Sequence, residues 1–80
     1  MEDLIEINPK IMVGKPVIKG TRITVELILE KLATGETVDA VLASYPHLER
    51  AQVLACIEYA YRSMSSDFVF PVAHEQINNA

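Results

Sequence analysis

The sequence predicts a small, mainly α-helical domain in which a short N-terminal β-hairpin precedes a three-helix bundle. Two observations support this fold class. Residues 1–23 are rich in glycine and proline and contain short β-branched runs, which is typical of small strands joined by turns. Residues 24–63 carry apolar residues at helical spacing, with glycine and proline placed where helices end. We therefore expect one domain over residues 1–63 and a tail over residues 64–80.

The predicted hairpin contains the stretch GKPVIKGTR, residues 14–22. Asn8 and Pro9 favour a turn before it, and Gly14 and Gly20 can adopt the positive φ angles of tight corners. Pro16 suits an edge strand because it lacks a backbone N–H. Val17 and Ile18 point to opposite faces of such a strand, so at least one of them can pack on a core.

Three helices are predicted after the hairpin. Thr24 caps the first, which ends at Gly35, and Thr37 caps the second, which ends before Pro46. The third runs from about residue 49 to residue 63, and its apolar positions are predicted to face inward: Val53, Leu54, Ile57, Ala60 and Tyr61. A short helix, a turn of about four residues and a longer helix form the pattern of a helix-turn-helix, here in a homeodomain-like order.

The size of the chain makes it a natural candidate for oligomerisation. A length of 80 residues is near the lower limit at which a single core is stable, and half of the residues are hydrophobic. Because oligomerisation buries more apolar surface, we expect a homodimer. The opening MEDLIEI is acidic and has no long apolar core, so we do not expect it to act as a signal peptide, and no apolar run is long enough for a membrane span. We therefore expect a cytoplasmic protein with no membrane partner.

No catalytic, metal or cofactor site is predicted. GKPVIKGTR has the wrong residue order for a phosphate-binding loop, and no serine, histidine and acid suggest a triad. His47 and His74 are far apart in sequence, and Cys56 is expected to pack in the core. The chain is therefore not expected to be an enzyme.

The charges are distributed asymmetrically. The net charge of −4 argues against a strong, indiscriminate nucleic-acid binder. Nevertheless, the stretch from Lys10 to Arg22 holds four cations and no acid, whereas residues 23–80 hold three cations and eight acids. Within this basic stretch Lys15, Lys19 and Arg22 are the best candidates for phosphate contact. Alternatively, the lysines protect a solvated strand edge, and Arg22 pairs with an acid such as Glu26.

The third helix offers little for base reading. Only Arg50 and Gln52, near its start, have side chains suited to base edges. The following VLACIEYAY, residues 53–61, is apolar nearly all round, which favours a dimer or partner interface that includes Val53, Ile57 and Tyr61. In the tail, Phe68 and Phe70 either fold back on the domain or a dimer mate, or dock on a partner.

Residues 8–60, NPKIMVGKPVIKGTRITVELILEKLATGETVDAVLASYPHLERAQVLACIEYA, resemble the domain-of-unknown-function family 433 (DUF433). The shared pattern is N/D-P-x-I-x-x-G-K/R-P-x-I-x-G-T-R-I-x-V, followed by a helix, G-x-S/T, a helix, Y-P-x-L and a helix. One departure is Glu49, where the family usually has threonine or serine to cap the third helix. The resemblance implies a homeodomain-like helix-turn-helix fold, and some members look like VapB-type antitoxins encoded beside a PIN-like nuclease toxin.

The leading hypothesis is an antitoxin-like, DNA-binding dimer that neutralises a PIN-like nuclease toxin and represses its own operon by binding operator DNA. The acidity of the chain fits this role, because a nuclease that binds RNA should carry a basic groove. The alternative is a dimeric protein-interaction module that keeps the helix-turn-helix scaffold and does not bind DNA.

Overall fold

The computed structural model describes residues 3–65 and has the predicted order of elements. A two-stranded antiparallel hairpin precedes three helices, so the predicted mainly α-helical fold class is confirmed. Within residues 3–65, no helix is long and apolar enough to cross a membrane. The elements are β1 (Ile5–Glu6), a single 3₁₀ turn (Met12–Gly14), β2 (Val17–Ile18), α1 (Val25–Ala33), α2 (Val38–Ser44) and α3 (Arg50–Ser65).

The hairpin pairs β1 with β2, so that Ile5 lies opposite Ile18. After β2 the chain turns back tightly, and the Thr21 N–H donates to the Ile18 carbonyl at 2.9 Å. Gly20 has a φ of +83°, as expected at the third position of a type II turn. The predicted corner at Gly20 is therefore confirmed, and a bridge from Val17 to Thr24 closes this second, tighter hairpin.

The connection between β1 and β2 contains an unexpected conformation. Met12, Val13 and Gly14 all have positive φ angles, of 48°, 59° and 82°. Gly14 adopts such angles freely, but the left-handed region strains a β-branched residue such as valine. Nothing in the sequence predicts this conformation at Met12 and Val13.

The first two helices begin and end as predicted. The hydroxyl of Thr24 accepts from the Leu27 N–H, and the hydroxyl of Thr37 accepts from the Ala40 N–H, both at 3.0 Å. Helix α1 ends in a Schellman motif, in which the Gly35 N–H donates to the Leu32 carbonyl and Gly35 has a φ of +106°.

Helix α3 starts at a different kind of cap. Glu49 precedes its first residue, and the side-chain carbonyl of Gln52 accepts from the Glu49 backbone N–H at 2.7 Å. This contact is one half of a capping box, and it stabilises a helix start that has neither threonine nor serine at the capping position. Helix α3 continues to Ser65, two residues beyond its predicted end, and therefore crosses the predicted boundary at residue 64.

The core lies where α1 packs against α2 and α3, with β2 beneath them. Both residues of β2, Val17 and Ile18, are completely buried, and Ile18 belongs to the core cluster formed with the helices. The GKPVIKGTR stretch therefore contributes directly to the core. The central cluster comprises Ile18, Val25, Ile28, Val41, Leu48, Val53 and Cys56.

Candidate interaction surface

The outer face of α3 carries a line of exposed apolar side chains. Leu54, Ile57, Tyr61 and Met64 are exposed by 48%, 38%, 66% and 67%. Their separations of three, four and three residues place them on one side of the helix, in the spacing used by helix–helix contacts. We call these four residues the α3 stripe.

The stripe corrects the predicted orientation of α3. Leu54, Ile57 and Tyr61 were expected to face inward, and they are exposed instead. The buried face is formed by Val53, Ala55 and Cys56. In the described part of the chain, α3 packs against α1, α2 and β1 on one side only, so no layer covers its other apolar side.

The predicted partner contacts divide into three groups. Val53 is completely buried within the core, so its side chain has no surface to offer a partner while this fold is intact. Ile57 and Tyr61 remain accessible as members of the α3 stripe. Phe68 and Phe70 lie outside the described residues.

Cys56 occupies the inner face of the same helix. Its side chain is fully buried in the core cluster, which confirms the predicted packing role. Burial raises the pKa of the Cys56 thiol from 9.0 to about 11, because the thiolate would lose its hydration. The thiol is therefore protonated at neutral pH and unreactive in the folded chain.

Three of the predicted nucleic-acid contacts are cations that pair with carboxylates. Lys15 Nζ lies 3.0 Å from Glu26 Oε1, and Lys19 Nζ lies 4.0 Å from Asp3 Oδ2. Arg50 pairs with Asp39 between the starts of α3 and α2. All of these side chains are mostly exposed, so the pairs are weak and a phosphate group can compete for the cations.

Arg22 differs from these three cations. The alternative in which Arg22 pairs with Glu26 is not observed: Glu26 pairs with Lys15, and no ion pair of Arg22 is present among the described residues. Among residues 3–65, neither Arg22 nor Lys10 has a carboxylate within ion-pair distance. Arg22 also lines an open depression together with Ile11, Gly20 and Thr21. Lys10 directly precedes Ile11 in the chain. These two cations are the part of the basic stretch best placed to meet a phosphate.

Gln52 has a structural role in addition to any contact it makes. Its side-chain carbonyl holds the start of α3, and the residue is only partly exposed. The sequence signal for this role was available, since glutamine at the third helical position is part of the capping-box pattern. While its side-chain carbonyl accepts from the Glu49 N–H, Gln52 can offer a nucleobase only its amide N–H groups.

A groove between α1 and the last turns of α3 was not predicted. Its volume is about 340 Å³, and its lining is almost wholly apolar. The residues that form it are far apart in sequence, so only the folded chain brings them together. The lining comprises Pro16, Val25, Glu26, Leu29, Tyr59, Ala60, Ser63 and Met64.

Comparison with known proteins agrees with the resemblance read from the motif. Residues 5–60 match the family described as Protein of unknown function (DUF433). No curated protein and no solved structure matches the chain. Since the family match spans well over half of the 80 residues, the chain belongs to the DUF433 family.

Proposed function

We propose that this chain is an antitoxin-like protein-interaction module that acts as a homodimer and neutralises a PIN-like nuclease toxin. The observation that carries the protein-binding part is the α3 stripe, four apolar side chains in helix-pairing register on an exposed face. Contiguous exposed apolar patches mark interaction sites in small soluble domains. Tyr61 is 66% exposed and lies between Ile57 and Met64 in the stripe, and tyrosine is enriched among interface hot spots.

The charges favour a protein partner over general nucleic-acid binding. The chain has a net charge of −4, and Lys15, Lys19 and Arg50 each lie against a carboxylate. An acidic surface complements the basic groove that an RNA-cleaving nuclease needs. The identification of that nuclease as PIN-like rests on the resemblance to VapB-type antitoxins.

A pull-down from the source organism tests the neutralising role. We expect the tagged chain to recover a small nuclease stoichiometrically and to inhibit its RNA cleavage in a purified assay. Tyr61→Glu should weaken this complex if the stripe contacts the toxin directly or holds the binding-competent dimer together. Ala43→Glu, an equally acidic change at an exposed position of α2, serves as the control. Recovery of no nuclease at either low or high salt contradicts the proposal.

Operator binding is a second function, favoured by Lys10 and Arg22. These cations lack carboxylate partners among the described residues, and Arg22 flanks the exposed Gly20 turn. A helix-turn-helix formed by α2 and α3 would supply the scaffold. If Arg22 meets phosphate in both subunits, Arg22→Gln should reduce the salt dependence of binding to the chain's own promoter.

The matched control is Arg62→Gln, which removes the same charge from an arginine that pairs with Glu58. A gel shift that is unchanged by Arg22→Gln, or the absence of any shift with the promoter, contradicts operator binding at this edge. It would favour the alternative, a dimeric interaction module on the same scaffold without DNA binding. Charge reversal at Lys15 and Lys19 makes the same distinction for the remainder of the basic stretch.

A further inference from the structure

We propose that the groove between α1 and α3 is the docking site for residues 68–72 of the same chain. The groove is open and about 340 Å³ in volume, and its lining is mostly apolar side chains from both helices together with Pro16, with Glu26 and Ser63 as its polar members. This surface is distinct from the α3 stripe, which it touches only at Met64. The inference therefore does not depend on the proposed function.

The size of the groove suits two aromatic rings. A cavity of about 150 Å³ in a protein interior holds one benzene molecule. The groove is about twice as large, and the chain contains two phenylalanines, Phe68 and Phe70. Residues two apart in an extended segment point to the same side, so both rings can enter one groove.

The position of the groove also fits this occupant. Ser63 and Met64 form part of its wall, and the described chain ends one residue later, at Ser65. Residues 66 and 67 separate Ser65 from Phe68, and three residues span up to about 10 Å. The segment FVFPV, residues 68–72, is wholly apolar, whereas the last eight residues, AHEQINNA, are mostly polar. The segment is thus within reach, and its side chains match the chemistry of the walls.

Tryptophan fluorescence tests the docking in the full chain. The protein has no tryptophan, so Phe70→Trp introduces a single reporter. We expect its emission to lie at the short wavelengths of a buried indole and to resist quenching by iodide. Phe68→Trp provides a second reporter in case the larger ring does not fit at position 70.

Two acidic variants on α3 separate the groove from the stripe. Met64→Glu places a charge on the groove wall, and Leu54→Glu places one on the stripe away from the groove. Both side chains are largely exposed, so neither change removes a core contact. In the Phe70→Trp background, Met64→Glu should shift the emission to longer wavelength and restore quenching, while Leu54→Glu should leave both unchanged.

Several outcomes would overturn the proposal. Emission typical of an exposed indole from both reporters means that the segment does not dock. If Leu54→Glu and Met64→Glu abolish the protection from iodide equally, the tryptophan is buried against the stripe and not in the groove. Protection that disappears on dilution assigns the segment to a second copy rather than to its own chain. None of these outcomes bears on whether the chain binds a nuclease, which the pull-down measures separately.

Discussion

The GKPVIKGTR stretch and the outer face of α3 each differ from what their compositions suggest: the basic stretch is partly buried, and the apolar helix is partly exposed. The basic stretch looks like a ligand-binding loop, yet it buries Val17 and Ile18 completely and pairs two of its lysines with acids. Helix α3 reads as a buried helix, yet it leaves four apolar side chains exposed. The comparison indicates that much of the family motif specifies the fold, while the exposed apolar surface lies on a helix with few charged residues.

The largest expected effect on the free energy of unfolding comes from the buried apolar residues of the basic stretch, Val17 and Ile18. Ile18→Ala should lower the free energy of unfolding by about 2–5 kcal/mol, because it opens a cavity at a completely buried position. The neighbouring exposed Lys19→Ala should change it by less than about 0.5 kcal/mol. Urea unfolding of the two variants measures this contrast. Equal losses would mean that the basic surface, and not the buried strand, stabilises this region.

The burial of Cys56 on the inner face of α3 predicts how the free energy of unfolding depends on pH. The unfolded chain releases the Cys56 proton near pH 9, whereas burial keeps it bound up to about pH 11 in the folded chain. The contribution of this group to the free energy of unfolding is therefore fully present below pH 9 and is lost as the pH rises through 11.

Denaturant midpoints between pH 7 and pH 11, compared for the wild type and Cys56→Ala, isolate this contribution from the titration of other groups. The wild type should lose stability more steeply above pH 9. Parallel curves would contradict the burial of the thiol. The same burial predicts that thiol reagents modify Cys56 only after unfolding at pH 8.

A smaller effect is expected at the tight turn of the basic stretch. A Cβ added at Gly20 would meet no neighbouring atom, so any cost comes from the positive φ angle of 83°. Gly20→Ala should therefore reduce the free energy of unfolding by about 1–2 kcal/mol. Thermal melting at a fixed concentration measures the loss. A neutral result would show that the turn adopts another conformation.

The smallest effect should come from the surface ion pairs. Lys15→Gln removes the contact with Glu26, and both side chains are more than half exposed. The expected loss is below about 1 kcal/mol, and it should disappear in high salt. Urea unfolding at low and high salt measures it. A larger loss that persists in salt would give Lys15 a structural role that the exposed pair does not explain.

The sequence predicted the elements because local signals mark them. Thr24 and Thr37 cap their helices, and Gly20 and Gly35 supply positive φ angles where the chain must turn. The orientation of α3 could not be predicted in the same way. Leu54 and Val53 are adjacent apolar residues, and only the placement of the other elements decides which of them is covered.

The candidate site was predicted only in part for the same reason. Ile57 and Tyr61 were identified as contact residues and are exposed, while the groove depends on Pro16 meeting Tyr59 across the fold. The pairing of Lys15, and not Arg22, with Glu26 is likewise a matter of geometry. Sequence spacing alone could not distinguish these two partners.

The central claim is that the α3 stripe holds a protein partner, and in the proposed dimer that partner is a second copy. Sedimentation equilibrium over a range of concentrations tests this most directly, with Tyr61→Glu compared against Ala43→Glu. We expect the wild type and Ala43→Glu to dimerise, and we expect Tyr61→Glu to weaken the dimer at least tenfold, in line with the loss of an interface hot spot. A dimer of unchanged affinity in Tyr61→Glu, or a wild type that stays monomeric at every concentration, would contradict the account.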